Sequence, residues 1–431
     1  MSIAFLICIL TLFALAAIGA PIAYAILVSA IAYLAAGGQS VGVAGKILMD
    51  GLYQSFVLLA VPLFIVAANI MNVGTISERL LNFCIAAVGR FRGGLGHVNV
   101  VASLIFSGMS GSAVADAAGI GKIIIEMMTR SGHYTRGYAA AITAASATIG
   151  PIIPPSIPMV LYALISNASI GYLFLGGILP GLLMGAVLMG MNTWMSARRG
   201  FGLEDAVPVS QLPRQAISAF PALLMPAILL YGIYGGVTTP TEAAAVAAFY
   251  ALILASVFYR TLSFRSLYSI LVESARSSAS VGIVIGGALI LNYIVASENI
   301  PNQLAGLLAD LDTSPLAFLL MVNLLLLVLG CLLDATTIIL VVIPLFLPAC
   351  QQLGIDLVHF GVVAVVNCMI GLVTPPYGIL LFVINAVTGI PLREIIAEIW
   401  AFVAVLVIAL LVMILFPEII LFLPRQFGYA G

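Results

Sequence analysis

Charge is what this 431-residue sequence has least of. It holds fifteen Lys and Arg and sixteen Asp and Glu, 7% of the chain, for a net charge of −1. Soluble domains carry about 25% charged residues. A chain this poor in charge cannot cover a globule with polar surface, which excludes a soluble protein. The near-zero balance also removes the basic face that a nucleic-acid binder needs. Only three His and five Cys occur. Cys8, Cys84, Cys331, Cys350 and Cys368 form no CxxC and no His/Cys cluster, so nothing points to a zinc site. No basic leader or small-residue cleavage site marks the first apolar run. It reads as a membrane segment and not as a signal peptide.

What fills the chain is apolar: 63% hydrophobic, with a mean hydropathy of +1.25. Unbroken runs such as "LLLLVLGCLL" (324–333) recur from end to end. Crossing about 30 Å of hydrocarbon requires such runs. A transmembrane β-barrel would instead alternate over segments of about ten residues. The sequence therefore predicts an all-α polytopic membrane protein. Expected spans cover residues 3–36, weakened at Gly19-Ala20-Pro21, then 56–73, 170–195, 217–234, 239–259, 280–296 and 395–423. Residues 75–92 are amphipathic and basic, as suits an interfacial helix.

Two kinds of interruption stand out. "SGMSGSAVADAAGIG" (107–121) is too small and polar for a plain span. It is flanked by Arg90 and Arg92 before and by Lys122, Arg130 and Arg136 after. Like flanks predict a re-entrant hairpin with its tip at membrane depth, tolerated only inside protein or beside a cavity. "GCLLDATT" (330–337) is the second such tip, within 315–353. The other interruption is "GPIIPPSIP" (150–158), between short apolar halves at 138–149 and 157–165. Its partner is "GLVTPPYG" (371–378), between 362–371 and 379–387. Proline has no N–H to donate and breaks a helix.

The two breaks align without gaps. "SATIGPIIPP" begins at Ser146 and "NCMIGLVTPP" at Asn367, an offset of 367 − 146 = 221. Pro21 and Pro240, Thr75 and Asn299, and Gly108 and Gly330 pair at offsets of 219, 224 and 222. Collinear pairs indicate internal duplication. The division expected is a first repeat over 1–200, a linker and connecting span over 201–236, and a second repeat over 237–431. Lys and Arg favour the cytoplasm, which places the base of the first hairpin there. The base of the second carries Asp310, Asp312, Asp356 and His359 but no Lys or Arg, and belongs outside. The repeats are then inverted, with about nine full spans plus two hairpins, and Lys46 is the main misfit. Inverted repeats with broken helices meeting near the midplane mark secondary transporters. Half-helix N-termini suit an anion, while half-helix C-termini and unwound carbonyls suit a cation.

Hard oxygen ligands for Na⁺ are expected at the tips from Ser107, Ser110, Ser112, Gly330, Thr336 and Thr337. At the breaks they are expected from Ser146, Gly150, Asn367 and Gly371. Two or more ion sites follow, one per repeat. Pro154, Pro155, Pro375 and Pro376 are expected to leave upstream carbonyls unpaired. Ser156, Thr374 and Tyr377 are expected to face substrate. Asp116 and Asp334 lie just after the tips, and a capping or structural role for each is favoured over ion ligation. Glu273 and the other glutamates read as interfacial charges near span ends. "GMSG" also fits the GxSG pattern of intramembrane serine proteases. That chemistry needs a His beside Ser110, yet His97 is 13 residues away, about 20 Å along a helix.

"SGMSGSAVADAAGIG", "ASATIGPIIPPSIPMVLYA" and "GLVTPPYGILLFVINAVTGI" together resemble the large membrane (M) subunit of tripartite ATP-independent periplasmic (TRAP) transporters, over nearly the whole chain. The resemblance implies an elevator-type secondary transporter of the bacterial inner membrane, driven by a Na⁺ gradient. It implies an organic-acid substrate, such as a C4-dicarboxylate or a sialic acid, delivered by a periplasmic binding protein. It also implies a small membrane subunit, expected as a separate chain because no such segment adjoins either end. The rival reading is a stand-alone Na⁺/carboxylate symporter that needs no binding protein.

Overall fold

The computed structural model describes residues 2–54, 56–72, 74–201, 208–303, 306 and 314–431. Asp310 and Asp312 lie outside the described residues. Every regular element among those described is helical. Five helices are long and apolar enough to cross a bilayer: Ile170–Arg199, Leu212–Tyr234, Pro240–Phe258, Phe264–Ser297 and Leu392–Leu415.

Three expected spans are redrawn; the one at 395–423 ends at Leu415, and Glu418–Gln426 follows as a separate short helix. Residues 3–36 form two 15-residue helices, Ile3–Ala17 and Ile22–Ala36, packed against each other. Gly19 turns the chain between them at φ +82°, a conformation glycine adopts without a Cβ clash. Each helix is about 22 Å long, short of the hydrocarbon thickness. The span expected at 280–296 starts sixteen residues earlier, as Phe264–Ser297, where Ser263 caps it by accepting from Ser266 N at 3.1 Å. Arg265, Glu273 and Arg276 hide its first half from a hydropathy reading, because long charged side chains reach polar ground along an apolar stem. The helix Gly42–Gln54, with Lys46 and Asp50, had no counterpart among the expected spans.

Two helices form the centre. Arg136–Ala147 buries eleven of its twelve residues and Leu357–Gly371 fourteen of its fifteen. Helices apolar on all sides belong in an interior. Each starts at a side-chain cap. Thr135 accepts from Tyr138 N at 3.2 Å, and Asp356 accepts from Val358 N and His359 N at 2.8 and 2.9 Å. Each stops at a proline break, and each break holds a cis peptide, Pro154–Pro155 and Pro375–Pro376. The chain resumes as Ile157–Ser166 and Ile379–Thr388, ten residues each.

Before each broken helix comes a helix–tip–helix pair. In the first, Gly94–Ser110 ends at Gly111 with φ +60°. Ala113–Asp116, a π-helical turn at Ala117–Gly121 and Lys122–Arg130 then run on. In the second, Pro315–Gly330 leads to Ala335–Thr337 and a π-helical turn at Ile338–Val342. Corresponding starts differ by 315 − 94 = 221, 338 − 117 = 221, 357 − 136 = 221, 379 − 157 = 222 and 392 − 170 = 222. The spacing read from the proline breaks thus recurs element by element.

Buried polar ladders tie each pair to its broken helix. Asn99 donates to Thr143 Oγ1 at 2.5 Å, and Ser103 donates to Ser146 Oγ at 2.9 Å. In the second unit Asn367 Nδ2 donates to the carbonyl and side-chain oxygens of Asn323, at 2.7 and 2.8 Å. At the far end Asn192, on Ile170–Arg199, donates to Gly93 O at 3.1 Å and accepts from Tyr138 OH at 2.7 Å.

Candidate functional site

The two tips meet across a cavity of about 460 Å³. Ser110, Gly111 and Ser112 of the first tip line it, with Asp334 and Thr336 of the second. The wall opposite comes from two helices. Asn69 lies on Ala60–Met71, and Glu273, Ser277 and Val281 lie at i, i+4, i+8 on one face of Phe264–Ser297. Pro151, Ile157 and Pro158, from the first break, close the side. Two carboxylates, several hydroxyls and one amide line this space, and no Lys, Arg or His is among its described lining residues.

At the first tip, Ser112 is the residue that caps. It stands in extended backbone and accepts from Ala115 N at 3.4 Å. Asp116 was expected in that role, and the structure corrects it. The left-handed turn at Gly111 puts the first non-helical position at Ser112, and Asp116 falls inside the helix that follows. Its Oδ1 accepts from Ser110 Oγ at 2.5 Å, while its Oδ2 is buried without a partner among the described residues. That oxygen abuts the break: a Cβ added to Gly150 would collide with it. The described residues donate no backbone N–H to the Gly150 carbonyl. Three groups thus converge between tip and break: Ser110 Oγ, Asp116 Oδ2 and the Gly150 backbone.

At the second tip Asp334 caps as expected, accepting from Thr337 N at 3.1 Å and from Thr337 Oγ1 at 2.5 Å. Its counterpart is Ser112 (334 − 112 = 222), so the two aspartates are not equivalent. Gly330 and Gly371 touch backbone to backbone: a Cβ added to Gly371 would lie 2.6 Å from the Gly330 Cα and carbonyl carbon. Asn367 is fully buried, and its Oδ1 has no hydrogen-bond donor among the described residues. The Gly371 carbonyl, expected to be free, accepts from Thr374 N at 3.0 Å.

Other expected residues are spent on local bonds. Ser107 donates to Leu104 O at 2.6 Å, and Ser146 donates to Asn99 Oδ1 at 3.1 Å. Ser156, expected to face substrate, is fully buried. It donates to Pro151 O and caps Ile157–Ser166 by accepting from Met159 N. Thr374 donates to Ile370 O at 2.7 Å, and Tyr377 packs on Phe382 with ring centroids 4.9 Å apart. Neither lines the cavity. The sequence reading overlooked Asn69 and Ser277 and took Glu273 for an interfacial charge. Asn69 Nδ2 donates to Ser274 Oγ at 2.8 Å, which fixes the two cavity-wall helices together. The four-residue spacing of Glu273, Ser277 and Val281 was the available signal. No cluster of three His, Cys, Asp or Glu capable of holding a metal occurs among the described residues. The Ser110 hydroxyl is engaged by Asp116, and His97 lies 3.4 Å from Thr193 Oγ1, so no serine–histidine pair forms there.

The family model described as "Tripartite ATP-independent periplasmic transporter, DctM component" matches residues 9–419. The chain is 40% identical over 414 residues to the sialic acid TRAP transporter large permease protein SiaM of Vibrio cholerae, covering 96% of each. It is 38% identical over 377 residues to the C4-dicarboxylate TRAP transporter large permease protein DctM of Pseudomonas aeruginosa, covering 88% of each. The fold is shared with the crystal structure of the Alcanivorax borkumensis YdaH transporter, at a TM-score of 0.62 and 15% identity over 86% of this chain and 87% of that one. Relatives of this kind are transporter permeases, and this chain is a membrane transport protein, not an enzyme. It belongs to the DctM component family of tripartite ATP-independent periplasmic transporters.

Proposed function

We propose that this chain is the large membrane subunit of a Na⁺-coupled importer of an organic acid in the bacterial inner membrane. Its substrate arrives on a periplasmic binding protein, and a small membrane subunit, as a separate chain, completes the membrane part. The relatives named for sialic acid and C4-dicarboxylates support an organic acid as substrate.

One observation carries the cation coupling. Among the described residues, each unit buries an unpartnered side-chain oxygen at or against its break, Asp116 Oδ2 in the first and Asn367 Oδ1 in the second. An ionised carboxylate buried with a single hydroxyl donor costs several kcal/mol, and a cation bound between Ser110, Asp116 and Gly150 offsets part of that cost. Na⁺ takes hard oxygen ligands of this kind. The cavity beside these sites holds two carboxylates and no cationic side chain. An organic anion there is bound more favourably once Na⁺ has added positive charge at the breaks. Linkage makes the effect mutual, so substrate tightens Na⁺ by the same factor.

In this reading, residues 1–200 and 237–431 are inverted repeats joined through 201–236. The two tips and two broken helices move as one body against the long helices. The test is uptake of a labelled organic acid into liposomes that hold this chain and its small subunit, with binding protein and an inward Na⁺ gradient. Uptake that needs all three is the expected result. Uptake by this chain alone establishes the stand-alone symporter instead.

A further inference from the structure

A groove of about 470 Å³ opens at the end of the first helix–tip–helix pair. It lies between Lys122–Arg130, the start of Arg136–Ala147 and the end of Ile379–Thr388. Its charged lining is Lys122, Arg130, Arg136 and Glu126. Glu126 pairs with Arg130 at 3.6 Å, a loose contact between side chains 50% and 82% exposed. Neither Lys122 nor Arg136 forms an ion pair among the described residues. Arg136 is also the first residue of its helix, where the backbone dipole adds positive potential.

The corresponding groove of the second unit, about 520 Å³, is built differently. Asp356 and Leu357 line it, and the chain's own last residues, Tyr429 and Gly431, wall it. Tyr429 sits there with its ring centroid 4.8 Å from that of Tyr172. Among its described lining residues the first groove has no such wall, and its charge is opposite.

We propose that the first groove binds the phosphate of an anionic phospholipid headgroup. The reading of this end as the cytoplasmic interface supplies the location. Anionic lipids concentrate in that leaflet, and basic pockets between helices bind their headgroups. Arg supplies a planar fork of donors and Lys a compact charge, a pairing suited to phosphate oxygens. Lys122 and Arg136 come from the first unit and Val387 and Thr388 from the second. A bound headgroup therefore bridges the two halves of the body that carries the tips.

The test uses the purified full chain with its small subunit. Lipid retained through detergent washing is read by native mass spectrometry. The wild type is expected to keep an anionic phospholipid. Lys122→Gln combined with Arg136→Gln is expected to cut retention about tenfold. Glu126→Gln, which removes the one acid among the groove's described lining residues, is expected to keep or raise it. Equal retention by the double variant overturns the proposal. In a second arm, thermal stability in neutral-lipid nanodiscs is followed against phosphatidylglycerol and against inorganic phosphate. A rise with the lipid alone is expected, and an equal rise with inorganic phosphate overturns the lipid assignment. Neither arm requires transport, so its failure is separable from failure of the importer reading.

Discussion

Asp116 and Ser156 exchange the parts their sequence positions suggested. A serine after a proline break looks exposed to ligand, and an aspartate after a glycine-rich tip looks like a cap. Folded, Ser156 is the cap and Asp116 the unsatisfied group. Sequence alone cannot separate them, because Asp and Ser satisfy the same N-cap geometry and one residue of turn decides which is used. Ser156→Ala should therefore cost about 1 kcal/mol of stability. A lowered melting temperature with an unchanged Na⁺ requirement for uptake is expected. A changed Na⁺ requirement would return Ser156 to the ion or substrate path. Asn367 was legible as a candidate because it stands at Ser146's place in the repeat. Glu273 was not, because a lone carboxylate in an apolar run reads as a span end until the helix is seen to begin at Phe264.

At the scale of elements, the close passage of Gly330 and Gly371 is a tight packing constraint on the site. Backbone faces backbone there, so a methyl group has nowhere to go. Forcing extra volume into packed interiors costs about 1–3 kcal/mol. Gly371→Ala should push the second tip away from its break, weakening uptake strongly while the protein still inserts and folds. Gly282→Ala is the control, since nothing lies within 4 Å of its added Cβ. It should match wild type in uptake and melting temperature. If the two variants behave alike, the contact is not needed. The broken helices and tips were readable because Pro, Gly and Ser punctuate an otherwise apolar chain. In the first 36 residues the weak point at Gly19-Ala20-Pro21 was readable and the chain does divide there, but a hydropathy sum cannot tell one bent span from two short helices folded on each other.

For the whole molecule, the recurrence near 221 residues runs through caps, π-turns and breaks, and the proposal from charge asymmetry is that the two units face opposite sides. Single cysteines test this directly. His133→Cys and Gln351→Cys sit at exposed ends of the first and second units. Four of the five native cysteines are buried, so background labelling with an impermeant reagent is low. The inverted arrangement requires that His133→Cys label only from the cytoplasm and Gln351→Cys only from outside. Labelling of both from one side would make the repeats parallel.

The central claim is that a cation at each break creates the anion site between the tips. Its most direct test is the Na⁺ dependence of organic-acid uptake in liposomes for wild type, Asp116→Asn and Asn367→Ala. Each variant should shift the half-saturating Na⁺ concentration upward about tenfold, about 1.4 kcal/mol of lost ion binding, with uptake recovered at high Na⁺. Half-saturation unchanged in both variants would contradict the claim.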